Sequence, residues 1–294
     1  MSTATILRWH DGRLETAADD DLGPDRAAAH DDLGPDGTAP RRIELAVADS
    51  WLVDDGRVRA LDVHRDRFTA SAAAELAARG TGPADSPDVD AFWAAAVARL
   101  PRTGRWFPRV ELVSASATDA TRASSTELRL RLRPAPPASS SVVLATASHD
   151  PRTLPLVKGP DLDALGRVRD EARLRGADEA VVLSDDGHVI DGAWSSIVWW
   201  RGDALCLPAD DLPRLPGVTV RTLATLAAVM GIDVLHEHAR PDELDGFEIW
   251  TTSALHGLRI ATDWVDGPSP AEEPGRLALW RSRLEALRRP LPPG

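Results

Sequence analysis

An α+β fold in two domains is predicted for this 294-residue chain. Three observations predict it. Hairpin patterns dominate, with short strand-forming runs turning at Asp-Gly or Gly-Asp, and no run of βαβ units appears. The length exceeds what one minimal core needs and fits one large or two moderate domains. The stretch "PAPPASS" at 134–140 breaks the periodic patterning with prolines and serines, which is a linker composition. The expected organisation is a small N-terminal α/β domain over 1–133, the linker at 134–140, and a larger β-rich domain over 141–294.

Within the first domain, residues 17–41 are rich in Ala, Asp, Gly and Pro and carry "DDLGPD" twice, at 20–25 and 31–36. That composition reads as an exposed, mobile acidic insertion. "WLVDDGRVRALDV" reads as a hairpin turning at Asp54-Asp55-Gly56. Helical pattern follows in "SAAAELAARG" and in "SPDVDAFWAAAVARL", where Ser86 or Asp88 would cap the start. "RVELVSA" is a strand. "TELRLRLRP" alternates apolar and charged residues strictly and predicts a half-exposed strand.

In the second domain, "SVVLATA" is a strand. "DLDALGRVRDEARLRG" is a helix with Leu162, Leu165, Val168 and Ala172 on one face and Gly176 as its stop. "EAVVLSDDGHVID" and "SSIVWWRGDALCLP" are hairpins, the latter turning at Arg201-Gly202-Asp203. "LPGVTVRTLATLAAVMG" is a glycine-led loop opening into a helix. The strands "IDVLHEH" and "GFEIWTTSALHGLRI" complete the pattern. Trp199 and Trp200, adjacent on a strand, read as core and interface filler.

Composition excludes several classes. A net charge of −12 disfavours a nucleic-acid partner and an anionic membrane surface. No apolar run approaches the ~20 residues that span a bilayer, and "MSTATILRWHDGRLE" lacks a signal-peptide pattern, so a cytoplasmic protein is expected. Cys206 is the single cysteine, so no internal disulfide is expected. No P-loop, kinase lysine or Gly-x-Ser-x-Gly elbow occurs. His236, Glu237 and His238 would put two imidazoles on one strand face, which is too few ligands for a metal site; no metal is expected.

Lysine is the informative residue. The chain has 34 Lys plus Arg, and Lys158 is the only lysine among them. A guanidinium stays protonated, whereas an amine can lose its proton and form a Schiff base. An aldehyde cofactor such as pyridoxal 5′-phosphate needs three groups from a protein: an amine, an acid facing the ring nitrogen, and anion donors for the phosphate. Asp191, just after a hairpin turn, supplies a candidate acid, though it also reads as a turn aspartate. Gly217, Val218 and Thr219 open a helix whose first N–H groups favour an anion, though Thr219 also reads as an ordinary N-cap. Arg67 in "HRDRF" supplies a guanidinium that could pair with phosphate or stand on the surface. Thr252 and Ser253 end a strand and would add donors.

In order and spacing, "HRDRF", "VKG", "GADEAVVLSDDGHVIDGAWSSIVWW", "LPGVTVRTLATLAAVMGIDV" and "EIWTTSALHGLRI" resemble the class IV aminotransferases, the fold-type IV pyridoxal-phosphate enzymes. The resemblance covers about 43–267. It implies a two-domain homodimer with a cofactor and an amino-acid-like small-molecule substrate. It further implies that Lys158 is the Schiff-base lysine, that Asp191 faces the ring nitrogen, and that Arg67, Val218, Thr219 and Ser253 or Thr252 bind phosphate. Asp191 is one methylene shorter than the family's usual glutamate, and Ser196 stands where asparagine is frequent. Those two departures leave open a degenerate member that binds the cofactor without turnover.

The family contains branched-chain and D-amino-acid aminotransferases and aminodeoxychorismate lyase. The branched-chain enzymes place a tyrosine after the lysine; this chain has no tyrosine. "TSALHGLRI" also looks more like the lyase's segment. The expectation is therefore a lyase converting 4-amino-4-deoxychorismate to 4-aminobenzoate and pyruvate, for folate biosynthesis, with an aminotransferase as the alternative. Arg109 in "FPRVEL" is a candidate for a substrate carboxylate, beside its reading as a strand-edge arginine.

Overall fold

A computed structural model describes residues 4–17, 42–80, 86–116 and 125–293. The chain divides into Met1–Ala135 with Arg289–Gly294, and Pro136–Arg288. The acidic insertion read at 17–41 lies, beyond its first residue, outside the described residues.

The first unit opens on a hairpin, β1 (Thr5–His10) and β2 (Arg13–Thr16). Its turn residues Asp11 and Gly12 have φ of 47° and 75°, the geometry that matches the twist of antiparallel strands. After β3 (Arg42–Ser50), the strands β4 (Val53–Asp54) and β5 (Arg57–Val58) turn at Asp55-Gly56. The helices α1 (Leu61–Ala78) and α2 (Val89–Ala98) follow, with the Asp88 carboxylate capping α2 by accepting from Ala91 N at 2.9 Å. Next come β6 (Arg105–Trp106), β7 (Arg109–Ser116) and β8 (Ser125–Leu132). The main sheet has the order β2-β1-β8-β7-β3.

Two expectations are corrected in this unit. The first helix starts at Leu61, ten residues before "SAAAELAARG", because the return strand of the hairpin stops at Val58. His64, Phe68, Ala72 and Leu76, spaced by four, are its buried stripe. The alternating strand β8 is not half-exposed. It lies at the centre of the sheet, and Arg129 and Arg131 are buried with ion-pair partners: Arg129 Nε lies 2.6 Å from Glu127 and Arg131 Nε 3.1 Å from Glu111.

The second unit comprises β9 (Ser141–Thr146), α3 (Leu162–Leu174), β10 (Glu179–Leu183), β11 (Val189–Gly192), β12 (Ser196–Arg201) and β13 (Ala204–Pro208). It continues through α4 (Val218–Val229), β14 (Val234–Glu237), β15 (Glu248–Ser253), β16 (Gly257–Val265) and α5 (Arg276–Ala286). Its strands form one sheet in the order β11-β10-β9-β16-β15-β12-β13-β14. Hairpins dominate, and two isolated βαβ crossovers, β9-α3-β10 and β13-α4-β14, give two of the three parallel pairs in this sheet, the third being β16 with β9. The helix α5 had no counterpart in the sequence reading. Finally β17 (Arg289–Pro290) pairs with β5, giving a small sheet β17-β5-β4-β6. The last residues thus belong with the first unit, whereas the sequence pattern predicts a second domain that runs to 294.

Strand alternation on β12 divides the core of the second unit. Ile197 and Trp199 pack with Leu144, Cys206, Ile249 and Trp264, while Val198 and Trp200 pack with Leu223, Trp250, Trp280 and Leu284. Trp200 lies 5.3 Å from Trp250 and 5.4 Å from Trp280, centroid to centroid. Replacing the fully buried Trp250 with alanine is expected to cost about 3–5 kcal/mol, read as a lower denaturant midpoint.

Candidate active site

Lys158 lies, half-buried, in the loop between β9 and α3. The loop is gripped by Asp161. Its Oδ1 accepts from Thr153 Oγ1 at 2.7 Å and its Oδ2 from Leu154 N at 2.8 Å. Gly159, next to Lys158, is buried with φ 142°, a conformation that side chains avoid. Arg152, six residues before Lys158, donates to Asp150 through Nε at 2.8 Å and Nη2 at 2.7 Å, and through Nη1 to Pro213 O at 3.1 Å.

Asp191 is on β11, only 7% exposed. Burial pushes its carboxyl up to about 7, opposed by the positive charge of Arg152, by hydrogen bonds from Ser196 and Gly192 N, and by Arg214. Its Oδ1 is buried and has no hydrogen-bond partner among the described residues. An orphaned carboxylate oxygen in such a place is costly unless something donates to it.

The turn from Asp191 to Ser196 is built tightly. Gly192 N donates to Ser195 O at 2.7 Å, and a Cβ at Gly192 would sit 2.6 Å from Ser195 Oγ. Glu179, fully buried, accepts from Ser195 Oγ at 3.0 Å and Trp194 N at 3.2 Å. Burial raises its carboxyl against the charges of Arg169 and Arg259.

Gly217 is the N-cap of α4, and Val218 and Thr219 are its first residues, both buried. Thr219 is therefore inside the helix and not its cap. A glycine cap has no side chain to bond the first N–H groups, which leaves them pointing at an anion-favouring end. A Cβ at Gly217 would come 2.8 Å from Ser196 Oγ. Ser196 thus lies between Asp191 and the start of α4. Thr252 pairs with Ser196 across β15 and β12, and its buried Oγ1 has no partner among the described residues. Ser253 Oγ accepts from His256 N at 3.2 Å. Asp191, Ser196, Gly217 and Thr252 are therefore brought together.

Arg67 and Arg109 stand in the first unit. Arg67 is on α1 and donates to Asp49 through Nε at 2.8 Å and Nη2 at 2.9 Å, while His64 Nδ1 lies 2.8 Å from the same carboxylate. Burial alone would raise the Asp49 carboxyl, but His64 and Arg67 hold it well below the usual carboxylate range. Arg109 is the first residue of β7, a strand that runs between β8 and β3. Its Nε lies 2.5 Å from Glu111, which also pairs with Arg131.

Sequence reasoning missed Arg152, Asp161, Glu179 and Arg214. Asp161 immediately precedes an amphipathic run and reads as a helix cap, and one arginine among so many carries no signal. His236 pairs with Asp210 at 2.7 Å and His238 with Asp211 at 2.9 Å. Among the described residues no group of three or more His, Cys, Asp or Glu is placed to hold a metal ion. No described helix is long and apolar enough to cross a membrane.

The family model for amino-transferase class IV matches residues 46–264. The structure is similar to a hypothetical aminotransferase from Mycobacterium tuberculosis in its pyridoxal-phosphate-bound form, with TM-score 0.69 and 20% identity over 97% of this chain and 98% of that one. It is similar to the branched-chain aminotransferase of the thermophilic archaeon Thermoproteus uzoniensis with norvaline, at TM-score 0.73 and 18% identity over 98% and 100%. A Legionella pneumophila chain provisionally named 4-amino-4-deoxychorismate lyase gives TM-score 0.68 and 15% identity over 81% and 90%. At these identities the structural likeness is one of fold. No curated protein sequence matches the chain.

Proposed function

The chain belongs to the class IV aminotransferases, pyridoxal-phosphate enzymes of fold type IV, and from that premise we propose that it is a lyase. Its substrate would be 4-amino-4-deoxychorismate and its products 4-aminobenzoate and pyruvate, a step of folate biosynthesis. The residues present fit the cofactor. The orphaned Oδ1 of Asp191 is the observation that carries this reading, because a protonated ring nitrogen is the donor it lacks. The uncapped start of α4 and the unpartnered Thr252 Oγ1 support a phosphate there.

When bound, the cofactor ring draws electron density from the substrate carbon that bears the amine. Lys158 Nζ would be the base that removes the proton from that carbon. Cleavage of the neighbouring C–O bond then aromatises the substrate ring. Lys158 returns its proton to the departing three-carbon group, which leaves as pyruvate. Asp191 Oδ1 would accept from the protonated ring nitrogen, and Val218 N, Thr219 N and Thr252 or Ser253 would hold the phosphate. Ser196 orients Asp191. We also propose a phosphate role for Arg67 and a substrate-carboxylate role for Arg109, both guanidinium groups oriented by a carboxylate.

The absence of tyrosine and the "TSALHGLRI" segment favour the lyase. A second reading, an aminotransferase of branched-chain or D-amino acids, is favoured by the full-length likeness to the norvaline-bound enzyme. Incubation with 4-amino-4-deoxychorismate alone is expected to release pyruvate and 4-aminobenzoate in equal amounts. Product formed only when an amino acid and 2-oxoglutarate are supplied together, with no pyruvate from the first mixture, decides for the aminotransferase. The resemblance also supports a cytoplasmic homodimer, which light scattering would test.

A further inference from the structure

We propose that Asp161 is the positioning residue for Lys158, a clasp that ties the start of α3 to the middle of the loop carrying the amine. An aspartate at a helix N-cap ordinarily accepts from the first N–H groups of its helix, a bond worth about 1 kcal/mol. Asp161 occupies that place on α3 and makes no such bond. Both oxygens reach back instead, to Thr153 Oγ1 and Leu154 N. The carboxylate is only 6% exposed, so its charge is withdrawn from water for the sake of this grip.

Apolar packing does not do the same work. Leu154 and Leu156, the large side chains within the clasp, are 49% and 60% exposed. Two further backbone bonds inside it are local, Val157 N to Leu154 O at 2.9 Å and Leu162 N to Gly159 O at 3.1 Å. Removing the carboxylate takes away both side-chain bonds that close the segment of Lys158 onto the start of α3. A base displaced by about 1 Å loses about two orders of magnitude in rate.

This rests on the proposed assignment of Lys158 to the cofactor, and the experiment separates the two. Wild-type protein, Asp161→Ala and Asp161→Asn are loaded with pyridoxal phosphate. Borohydride trapping at Lys158, the pH midpoint of the visible absorption band, kcat and KM are compared. Asparagine keeps both bonds, because its amide oxygen accepts from Leu154 N and its amide N–H donates to Thr153 Oγ1. The expected result for Asp161→Ala is a kcat at least about tenfold lower, a KM changed by less than about threefold and a shifted band midpoint, with Asp161→Asn close to wild type. If Asp161→Ala does not fold, Thr153→Val, isosteric and one bond short, is expected to show the same split at about three- to fivefold. Wild-type kcat and midpoint in the folded variants, or an asparagine variant as impaired as alanine, would overturn the clasp alone. Failure of borohydride to label Lys158 in the wild type overturns the cofactor assignment and the clasp together.

Discussion

Lys158→Ala is expected to lower turnover by about 10²- to 10⁴-fold, the range for loss of a positioned acid–base group. No other lysine exists in the chain, so no neighbouring side-chain amine can substitute. The same variant, mixed with pyridoxal phosphate and reduced with borohydride, is expected to gain no mass, whereas the wild type gains one cofactor at a peptide containing residue 158. Retained turnover with the adduct found at the amino terminus would sink the assignment.

Asp191→Asn is expected to stabilise the apo protein above neutral pH while it weakens cofactor binding. Burial raises the carboxyl from 3.8 to about 7 in the folded chain. Below pH ~4 it is protonated in both the folded and unfolded states and has no effect on stability. As pH rises from ~4 to ~7 the unfolded chain ionises first, so the folded apo state loses ground by about 1.4 kcal/mol per pKa unit. Above pH ~7 the loss is complete, at roughly 4 kcal/mol. Asparagine never ionises and escapes it. Melting of the apo proteins at pH 5 and pH 8 is therefore expected to show a larger advantage for Asp191→Asn at pH 8. A difference that does not change with pH would show that the native carboxyl is not raised. In the cofactor-bound proteins the order should reverse, because the amide cannot hold a protonated ring nitrogen with a charge.

The elements that sequence made legible are those with local chemistry. The glycine-led start of α4, the turn at Asp55-Gly56 and the hairpins around Asp191 are set by residues a few positions apart, and each is where the pattern put it. The start of α1 is obscured because "RVRALDV" satisfies a strand pattern as well as a helix, and Ala60 at φ 50° is the N-cap of α1 without a glycine to announce it. The burial of Arg129 and Arg131 depends on Glu111 and Glu127, and strand pairing brings Glu111 to Arg131 across 20 residues. The same limit applies at the site. Lys158 and Asp191 stood out by type and context, whereas Arg152 acts on Asp191 across nearly forty positions and Asp161 disguises a clasp as a cap.

The return of Arg289–Pro290 to β5 makes the second unit an insertion within the first. Residues 136–288 form one uninterrupted stretch that carries Lys158, Asp191 and α4, so a single gene fragment encodes them, whereas the first unit is encoded in two pieces. On the ribosome, the last strand of the small sheet emerges only after the whole of the second unit has been made. The part that is begun first is therefore finished last, and a chain interrupted near residue 288 would hold a complete second unit beside an unfinished first one.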